Sequence, residues 1–473
     1  MNKFEKNTKV VFAVFCALFL FLIAYLTYFQ VYERDKLIQS SYNRRLWEQE
    51  EKVLRGTIYD AGGRPLADSI IEGDQKKRIY PGGEAFGPLI GYSDRKLGRA
   101  GLEEVLNGEL LGLSEKDPMV VLRQKILGVS DRGNDVYLTI DSELQKTAYR
   151  MFRGRKGALV AMDPNTGAIL AMVSSPGFDP SKLNESWDDL VRNPDKPLIN
   201  RATTGLYPPG SSFKIITLAA ALSNIPGIEK KVYYTPGYVK VNGRIIRDYE
   251  GLRAGEYDLK TAFRYSSNSV FVKIGQEVGR DKLFAMAEAF GFNSAASFDM
   301  PAAISSFPRP PLIGGQVELA EDAIGQGRIL ATPLQMARVV SVIAGGGRLT
   351  IPYIIQKSVS PLGGVKIYHQ NEASKQIIDR AVADRIKELM VDVVQNGTGM
   401  PAGIKGITVA GKTGSAENPH GKAHAWFVGF APAENPRIAV AVVVENAGSG
   451  GKNAGPIARE VMLHYLSREN EKR

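Results

Sequence analysis

The longest apolar run in the chain comes first: no charged residue interrupts Val10 to Val31. Its 22 residues match the ~20 that a helix needs to cross a bilayer. Lys3, Lys6 and Lys9 precede the run against Glu5 alone, whereas Glu33, Arg34, Asp35 and Lys36 cancel on its far side. The positive-inside rule then predicts residues 1–9 as a cytoplasmic tail and 10–31 as a transmembrane anchor. No small-x-small cleavage site follows, and Tyr25, Tyr28 and Tyr32 cluster where amphipathic rings favour an interface, so the anchor is read as uncleaved. No later run approaches ~18 apolar residues, which predicts a single crossing with everything from about Tyr32 onward exported.

Residues 32–135 are charged and broken by turns such as Ala61-Gly62-Gly63-Arg64-Pro65 and Pro81-Gly82-Gly83, with short extended stretches such as Thr57-Ile58-Tyr59. That pattern predicts a small mixed module. A larger domain, 136–466, is expected to begin at Val136-Tyr137-Leu138-Thr139-Ile140-Asp141, with 467–473 left as a charged tail. Within it, Gly157–Met162 and Ala168–Val173 are joined by Asp163-Pro164-Asn165-Thr166-Gly167, the signature of a hairpin. Ala425–Phe430 and Arg437–Val444 read as two more strands, the second apolar enough to be covered on both faces. Helical periodicity runs through Phe213–Leu222, Thr332–Ile343 and Ala381–Val394. Strands at both ends with helices between them imply an antiparallel sheet closed by its termini and flanked by helices, an α+β or mixed α/β fold.

Composition narrows the chemistry. With 44% hydrophobic residues over 473 positions the chain folds. The net charge of +10 suits anionic membrane or cell-wall polymers, and export argues against nucleic acid. The single cysteine, Cys16, lies in the anchor, so the exported part has no thiol nucleophile or Cys-type zinc site. Of four histidines, His420 and His424 share a loop without the glutamate of a zinc-protease motif, and no metal site is expected.

A serine three residues before a lysine on a helix shares its face, so the amine can hydrogen-bond the hydroxyl and take its proton. The spacing occurs at Ser93/Lys96, Ser211/Lys214 and Ser449/Lys452. Only Ser211 lies between a Tyr207-Pro208-Pro209-Gly210 approach and a strong apolar helical run, at a helix N-terminus that favours negative charge; the other two are read as solvated turns. Ser266-Ser267-Asn268 offers a relay hydroxyl and an amide, while Ser41-Tyr42-Asn43 lies too near the membrane to matter. Lys412-Thr413-Gly414, on an expected strand after Ile407-Thr408-Val409, offers a cation for a carboxylate, a hydroxyl, and a glycine that admits a substrate backbone.

These three triplets in this order resemble the penicillin-binding protein and serine β-lactamase superfamily. Further segments, including Arg55-Gly56-Thr57-Ile58-Tyr59-Asp60, Ala100-Gly101-Leu102-Glu103, Ile324-Gly325-Gln326-Gly327 and Trp426-Phe427-Val428-Gly429, are similar to class B penicillin-binding proteins, above all the small penicillin-binding-protein-A type. The resemblance implies a peptidoglycan D,D-transpeptidase that takes the D-Ala-D-Ala end of a stem peptide, releases D-Ala, and is acylated by β-lactams. It implies Ser211 as nucleophile, Lys214 as base, Ser266 as proton relay, Asn268 on the stem-peptide amide, and Lys412 and Thr413 at the terminal carboxylate, with Gly414 and Ser415 also substrate-binding. The N–H groups of Ser211 and Ser415 would form the oxyanion hole. No cofactor is implied, and the implied partner in the bacterial cell membrane is a shape, elongation, division and sporulation (SEDS) type glycosyltransferase. Partial burial and the neighbouring Lys412 are expected to depress the Lys214 pKa. Ser415 stands where the family usually has Thr, and Ala61 follows Asp60 where it usually has Arg. The alternatives are a hydrolytic relative, either D,D-carboxypeptidase or β-lactamase, and a non-catalytic β-lactam-binding scaffold. The stretch between anchor and core is too short for a bifunctional enzyme's glycosyltransferase domain.

Overall fold

The computed structural model describes residues 3–29, 53–73, 75–113, 132–249, 251–309, 315–369, 374–419 and 421–471. The N-terminal apolar run forms the helix Lys3–Tyr28, about 39 Å long at ~1.5 Å per residue. Its stretch Lys6–Tyr28 has a mean hydropathy of 2.7 and none of it is buried against the rest of the chain. Phe12, Phe19 and Phe21 stand open, an arrangement suited to lipid. The helix starts before the expected 10–31 span because Lys3, Lys6 and Lys9 extend it. Residues 30–31, Tyr32, the charges at 33–36 and the Ser41/Asn43 pair lie outside the described residues.

The segment after residue 53 contributes to a six-stranded sheet in the order Val365–Ile367, Ile355–Val359, Asp135–Leu138, Ile58–Tyr59, Pro65–Glu72, Gln75–Ile79. Ile58 pairs in parallel with Val136, and Ser358 pairs antiparallel with the same Val136. Two strands far along the sequence thus complete a sheet begun near the anchor, a pairing that no local pattern announces. The strand expected to open the large domain is an interior member of this sheet.

Beside it lies a buried ion cluster. Glu103, fully buried, accepts from Arg55 Nε and Arg78 Nε, each at 2.7 Å. Arg55 also donates to Asn107 Oδ1 and the Glu103 carbonyl. Burial alone would raise the Glu103 pKa, but Arg78 and Arg55 outweigh it and hold the carboxyl below its ordinary value. The Arg-Gly-Thr and Gly-Leu-Glu segments are therefore two halves of one contact. Asp60, with Ala61 after it, is spent locally: its Oδ1 accepts from the N–H groups of Gly62 and Arg64, both at 2.8 Å.

The second sheet is the expected one: five antiparallel strands in the order Ala410–Ala416, His424–Ala431, Ile438–Val444, Gly157–Met162, Ile169–Ser175. All seven residues of Ile438–Val444 are buried, and it lies centrally. Side chains alternate between its faces. Ala439, Ala441 and Val443 join Val160 and Met162 in one core, while Val440, Val442 and Val444 join Leu159 and Ala161 in the other. The helices Lys214–Asn224, Pro333–Ala344 and Arg380–Asn396 fall within a few residues of expectation. Thr332 caps the second, its side chain accepting from Gln335 N–H.

Two local expectations change. The charged segment from Ser467 continues the helix Gly455–Glu471 instead of forming a separate tail, because Arg468 Nη1 reaches both oxygens of Asp141 at 2.8 and 3.0 Å. That carboxylate also caps the helix Ser142–Phe152. Neither discarded Ser/Lys pair is a plain turn: Ser93 lies on the short strand Tyr92–Asp94, and Ser449 precedes the four-residue helix Gly450–Asn453.

Removing the Glu103 carboxylate takes away the anion that two buried guanidinium groups share. Glu103→Ala should cost about 3–5 kcal/mol, read from the shift in urea midpoint. Because the folded pKa is depressed, the wild-type contribution is complete above the unfolded carboxyl value of about 4.3 and is lost as pH falls through the lower folded value. A variant whose stability matches wild type at neutral pH would remove this cluster from the account.

Candidate active site

Three elements meet at one end of the five-stranded sheet. Ser211 lies in the tight turn Gly210–Phe213, which leads into the helix Lys214–Asn224. The nucleophile candidate therefore sits one turn ahead of the α-helix, and Lys214 is that helix's first residue. Phe213, Ile215, Ile216 and Leu218 are buried, which fixes the helix's orientation and aims Lys214 inward. Ser266 and Asn268 bracket the start of the helix Asn268–Val278, which Ser267 caps by accepting from Val270 N–H. Lys412, Thr413, Gly414 and Ser415 lie on the edge strand Ala410–Ala416.

Lys214 and Lys412 are both completely buried. Lys214 Nζ donates to the Ser266 carbonyl at 2.7 Å and to Asn268 Oδ1 at 2.8 Å, with Ser266 Oγ at 3.4 Å. Lys412 Nζ donates to Ser266 Oγ at 2.8 Å and to the Thr413 carbonyl at 3.1 Å. One hydroxyl, Ser266 Oγ, thus lies between two amines. The expected bond between Lys214 and Ser211 is absent among the described residues, since the two nearest acceptors are better ones. Two N–H groups so committed leave a neutral amine its lone pair.

The electrostatics favour that neutral form. Burial first, and the charge of Lys412 second, push Lys214 well below the ordinary lysine range, with Asp248 pulling weakly the other way. Burial lowers Lys412 to about 7. Expectation had assigned only partial burial to Lys214. Phe271 and Phe263, whose ring centroids lie 5.4 and 5.5 Å from the two amines, supply part of the low-dielectric wall.

The remaining triplet residues have protein partners. Thr413 Oγ1 lies 2.7 Å from Thr398 Oγ1. Ser415 is exposed, and its Oγ accepts from Gly450 N–H at 3.4 Å. Asn268 Nδ2 donates to the Arg247 carbonyl at 2.9 Å. A Cβ on Gly414 would come within 2.9 Å of the Pro209 carbonyl and 3.2 Å of Ser212 N. The close approach that this glycine permits here is by the chain's own nucleophile turn.

The role of Gly325-Gln326-Gly327 was not legible in the sequence. Gly325 O accepts from Gly210 N–H at 2.8 Å, and Gln326 Nε2 donates to the Ser415 carbonyl at 3.3 Å. This loop ties the nucleophile turn to the edge strand. Gly325 adopts φ +73, and a Cβ there would lie 2.1 Å from the Gly210 carbonyl oxygen, so only glycine fits. Trp426, noted earlier only as part of a motif, donates from Nε1 to the Pro208 carbonyl at 3.0 Å and braces the same turn from the sheet. His424 serves locally, its Nδ1 accepting from Asn446 N–H; His420 lies outside the described residues.

Comparison with known proteins agrees with this geometry. Residues 157–463 match the family described as the penicillin binding protein transpeptidase domain, and residues 55–136 match the penicillin binding protein A dimerisation domain. The chain belongs to the penicillin-binding protein transpeptidase family. It is 33% identical to the peptidoglycan D,D-transpeptidase PbpA of Mycolicibacterium smegmatis, over 98% of this chain and 99% of that protein. It is 32% identical to the stage V sporulation protein D of Bacillus subtilis, over 88% of this chain and 67% of that one. Among solved structures, the ceftriaxone acyl-enzyme of penicillin-binding protein A from M. tuberculosis superimposes with a TM-score of 0.82 at 32% identity, covering 88% of this chain and 99% of that one. A D,D-transpeptidase domain from Eggerthella lenta gives 0.80 at 36% identity, covering 88% and 99%.

A methyl group at Gly325 has to displace the nucleophile turn. Gly325→Ala should cost roughly 1–3 kcal/mol of stability and slow labelling by a fluorescent penicillin in the fraction that remains folded. Labelling at the wild-type rate would show that the turn does not depend on this contact.

Proposed function

We propose that this penicillin-binding protein is a serine D,D-transpeptidase that cross-links peptidoglycan stem peptides. The observation that carries the reading is the fully buried Lys214, held by the Ser266 carbonyl and Asn268 at the base of the turn bearing Ser211. In the first half-reaction Lys214 takes the Ser211 proton and Oγ attacks the carbonyl of the penultimate D-Ala. The oxyanion is held by the N–H groups of Ser211 and Ser415. The C–N bond breaks as Ser266 passes a proton to the departing amine, and D-Ala leaves with the acyl group esterified to Ser211. An amine of a neighbouring stem then attacks the ester, restoring the Ser211 hydroxyl. Asn268 orients the stem amide, while Lys412, Thr413 and Ser415 meet the terminal carboxylate, with Gly414 keeping their strand against the nucleophile turn. A β-lactam offers the same carboxylate and a strained amide, and so acylates the same serine.

In the same reading residues 1–9 are cytoplasmic, the N-terminal helix is the single membrane anchor, 32–135 is a non-catalytic pedestal and 136–466 acts outside the membrane. The lysines ahead of the helix support that orientation. A SEDS-type glycosyltransferase is the partner that would supply nascent glycan to a transpeptidase anchored this way.

The full chain in detergent, incubated with benzylpenicillin and followed by intact mass and peptide mapping, should carry a long-lived adduct on Ser211, and Ser211→Ala should carry none. Rapid hydrolysis without accumulation would instead indicate a β-lactamase; neither adduct nor turnover would indicate a scaffold. With a pentapeptide donor, an added amine should divert product from hydrolysis to transfer, whereas a carboxypeptidase would yield the hydrolysis product alone.

The acylation rate should also report both lysines. It should fall as pH drops and Lys214 is protonated, with the acid limb far below the ~10.4 of a free lysine. On the alkaline side the rate for the free enzyme should decline as Lys412 loses its proton near 7. An acid limb at pH 9 or above would exclude a depressed Lys214.

A further inference from the structure

The Ser266-Ser267-Asn268 turn is held in a demanding shape. Ser266 sits at φ +59, a left-handed conformation that disfavours a residue with a Cβ. Its carbonyl must nevertheless stay 2.7 Å from Lys214 Nζ while Asn268 Oδ1 stays at 2.8 Å. Neither catalytic lysine explains why the turn keeps this shape.

The restraint comes from behind. Asp248, almost fully buried, directly follows the strand Arg244–Arg247. Its Oδ1 accepts from Ser267 Oγ at 3.0 Å and from Ser269 N–H at 2.9 Å. Its Oδ2 accepts from Thr235 Oγ1 at 3.1 Å and from Ser269 Oγ. Ser269 Oγ also reaches Thr235 Oγ1 at 2.6 Å, so the carboxylate and the three hydroxyls form one closed hydrogen-bonded cluster behind the turn. Ser267 and Ser269 are the residues on either side of Asn268. The residue before Asp248, Arg247, adds a fourth tie to the turn, its carbonyl accepting from Asn268 Nδ2, so the end of this strand grips the turn at three consecutive positions.

We propose that Asp248 is a positioning residue for acyl transfer: by clamping Ser267 and Ser269 it aims the Ser266 carbonyl and the Asn268 amide at Lys214. This rests on the transpeptidase reading and adds to it a group that touches neither substrate nor nucleophile. A carboxylate serves better than a neutral side chain because the Ser269 N–H and the hydroxyls around it can all supply hydrogens to it, and charge-assisted bonds hold geometry more tightly than neutral ones. The charged groups that act on Lys214 are Lys412, from the edge strand, and Asp248, from behind the turn; Tyr257, on the strand Gly255–Asp258, also feels the Asp248 charge.

The test uses the full chain in detergent and follows penicillin acylation against concentration and pH. Asp248→Asn keeps the shape, removes the charge and turns two acceptor positions into donors. Acylation at saturating penicillin should fall on the order of 100-fold, the cost of a misaimed catalytic group, with a smaller change in the half-saturating concentration. The acid limb should move to lower pH, because Lys214 then loses the negative charge of Asp248 that helps it hold a proton. Thr235→Val removes one donor and keeps the charge, so the rate should fall several-fold with the limb in place. A merely structural role would lower the fraction of protein that labels while leaving the rate constant and the limb of the labelled fraction unchanged, and that result overturns the proposal. Should Asp248→Asn fail to fold, Thr235→Val and Ser269→Ala decide: slowed acylation supports the clamp, and wild-type rates in both reject it. A wild-type chain that forms no adduct would overturn the transpeptidase reading and this proposal together, whereas a normal wild type beside unaffected variants would overturn this proposal alone.

Discussion

The burial of two lysines in one small volume is the constraint on which the rest of the site depends. Moving an ammonium group out of water is expensive unless partners compensate, and two of them side by side also repel. The fold meets this cost at Lys214 by lowering its pKa well below the ordinary lysine range, which favours the neutral amine. That solution works only if water stays out and the amine's acceptors stay in place. Phe263 and Phe271 serve the first need, and the left-handed Ser266 turn serves the second.

Close backbone approach is the means by which the three elements converge. Gly325 lies against the Gly210 carbonyl, Gly414 against Pro209, and Gly450 against the carbonyls of Trp426 and Gly414. In each case a Cβ would force apart two backbone segments at or beside the candidate site. The glycines near the site therefore hold together the nucleophile turn, its bracing loop and the edge strand. The central sheet supplies the rigid backing, since Ile438–Val444 is buried on both faces and carries the edge strand through His424–Ala431.

The six-stranded sheet places a second demand on the chain. Its order sets Ile355–Val359 and Val365–Ile367 together at one edge, beside strands from the early part of the chain, so it cannot be completed until residues far along the chain have been made. The buried Arg55, Arg78 and Glu103 then link separate segments of this region by charge, where a slip in any one strand would leave a charge unpaired in the interior. The N-terminal module is thereby coupled through the shared sheet to a much later segment of the chain.

Much of this was legible in the sequence, because periodicity and rare motif combinations are local properties. The anchor, the hairpin 157–173, the central strand 438–444 and the three triplets with their order all follow from residues close together in the chain. Ser211 could be told from Ser93 and Ser449 because only it has the apolar helix behind it. Long-range contacts were decided by the tertiary structure alone. Nothing near Asp248 marks it, since its donors Ser267 and Ser269 lie 19 and 21 residues away and Thr235 lies on another strand. Ser467 to Glu471 read as a charged tail because the Asp141 carboxylate that Arg468 reaches is 327 residues distant. The depth of Lys214 was likewise underestimated: one sequence window can show that a lysine begins a helix, but only packing from three elements can remove its last contact with water.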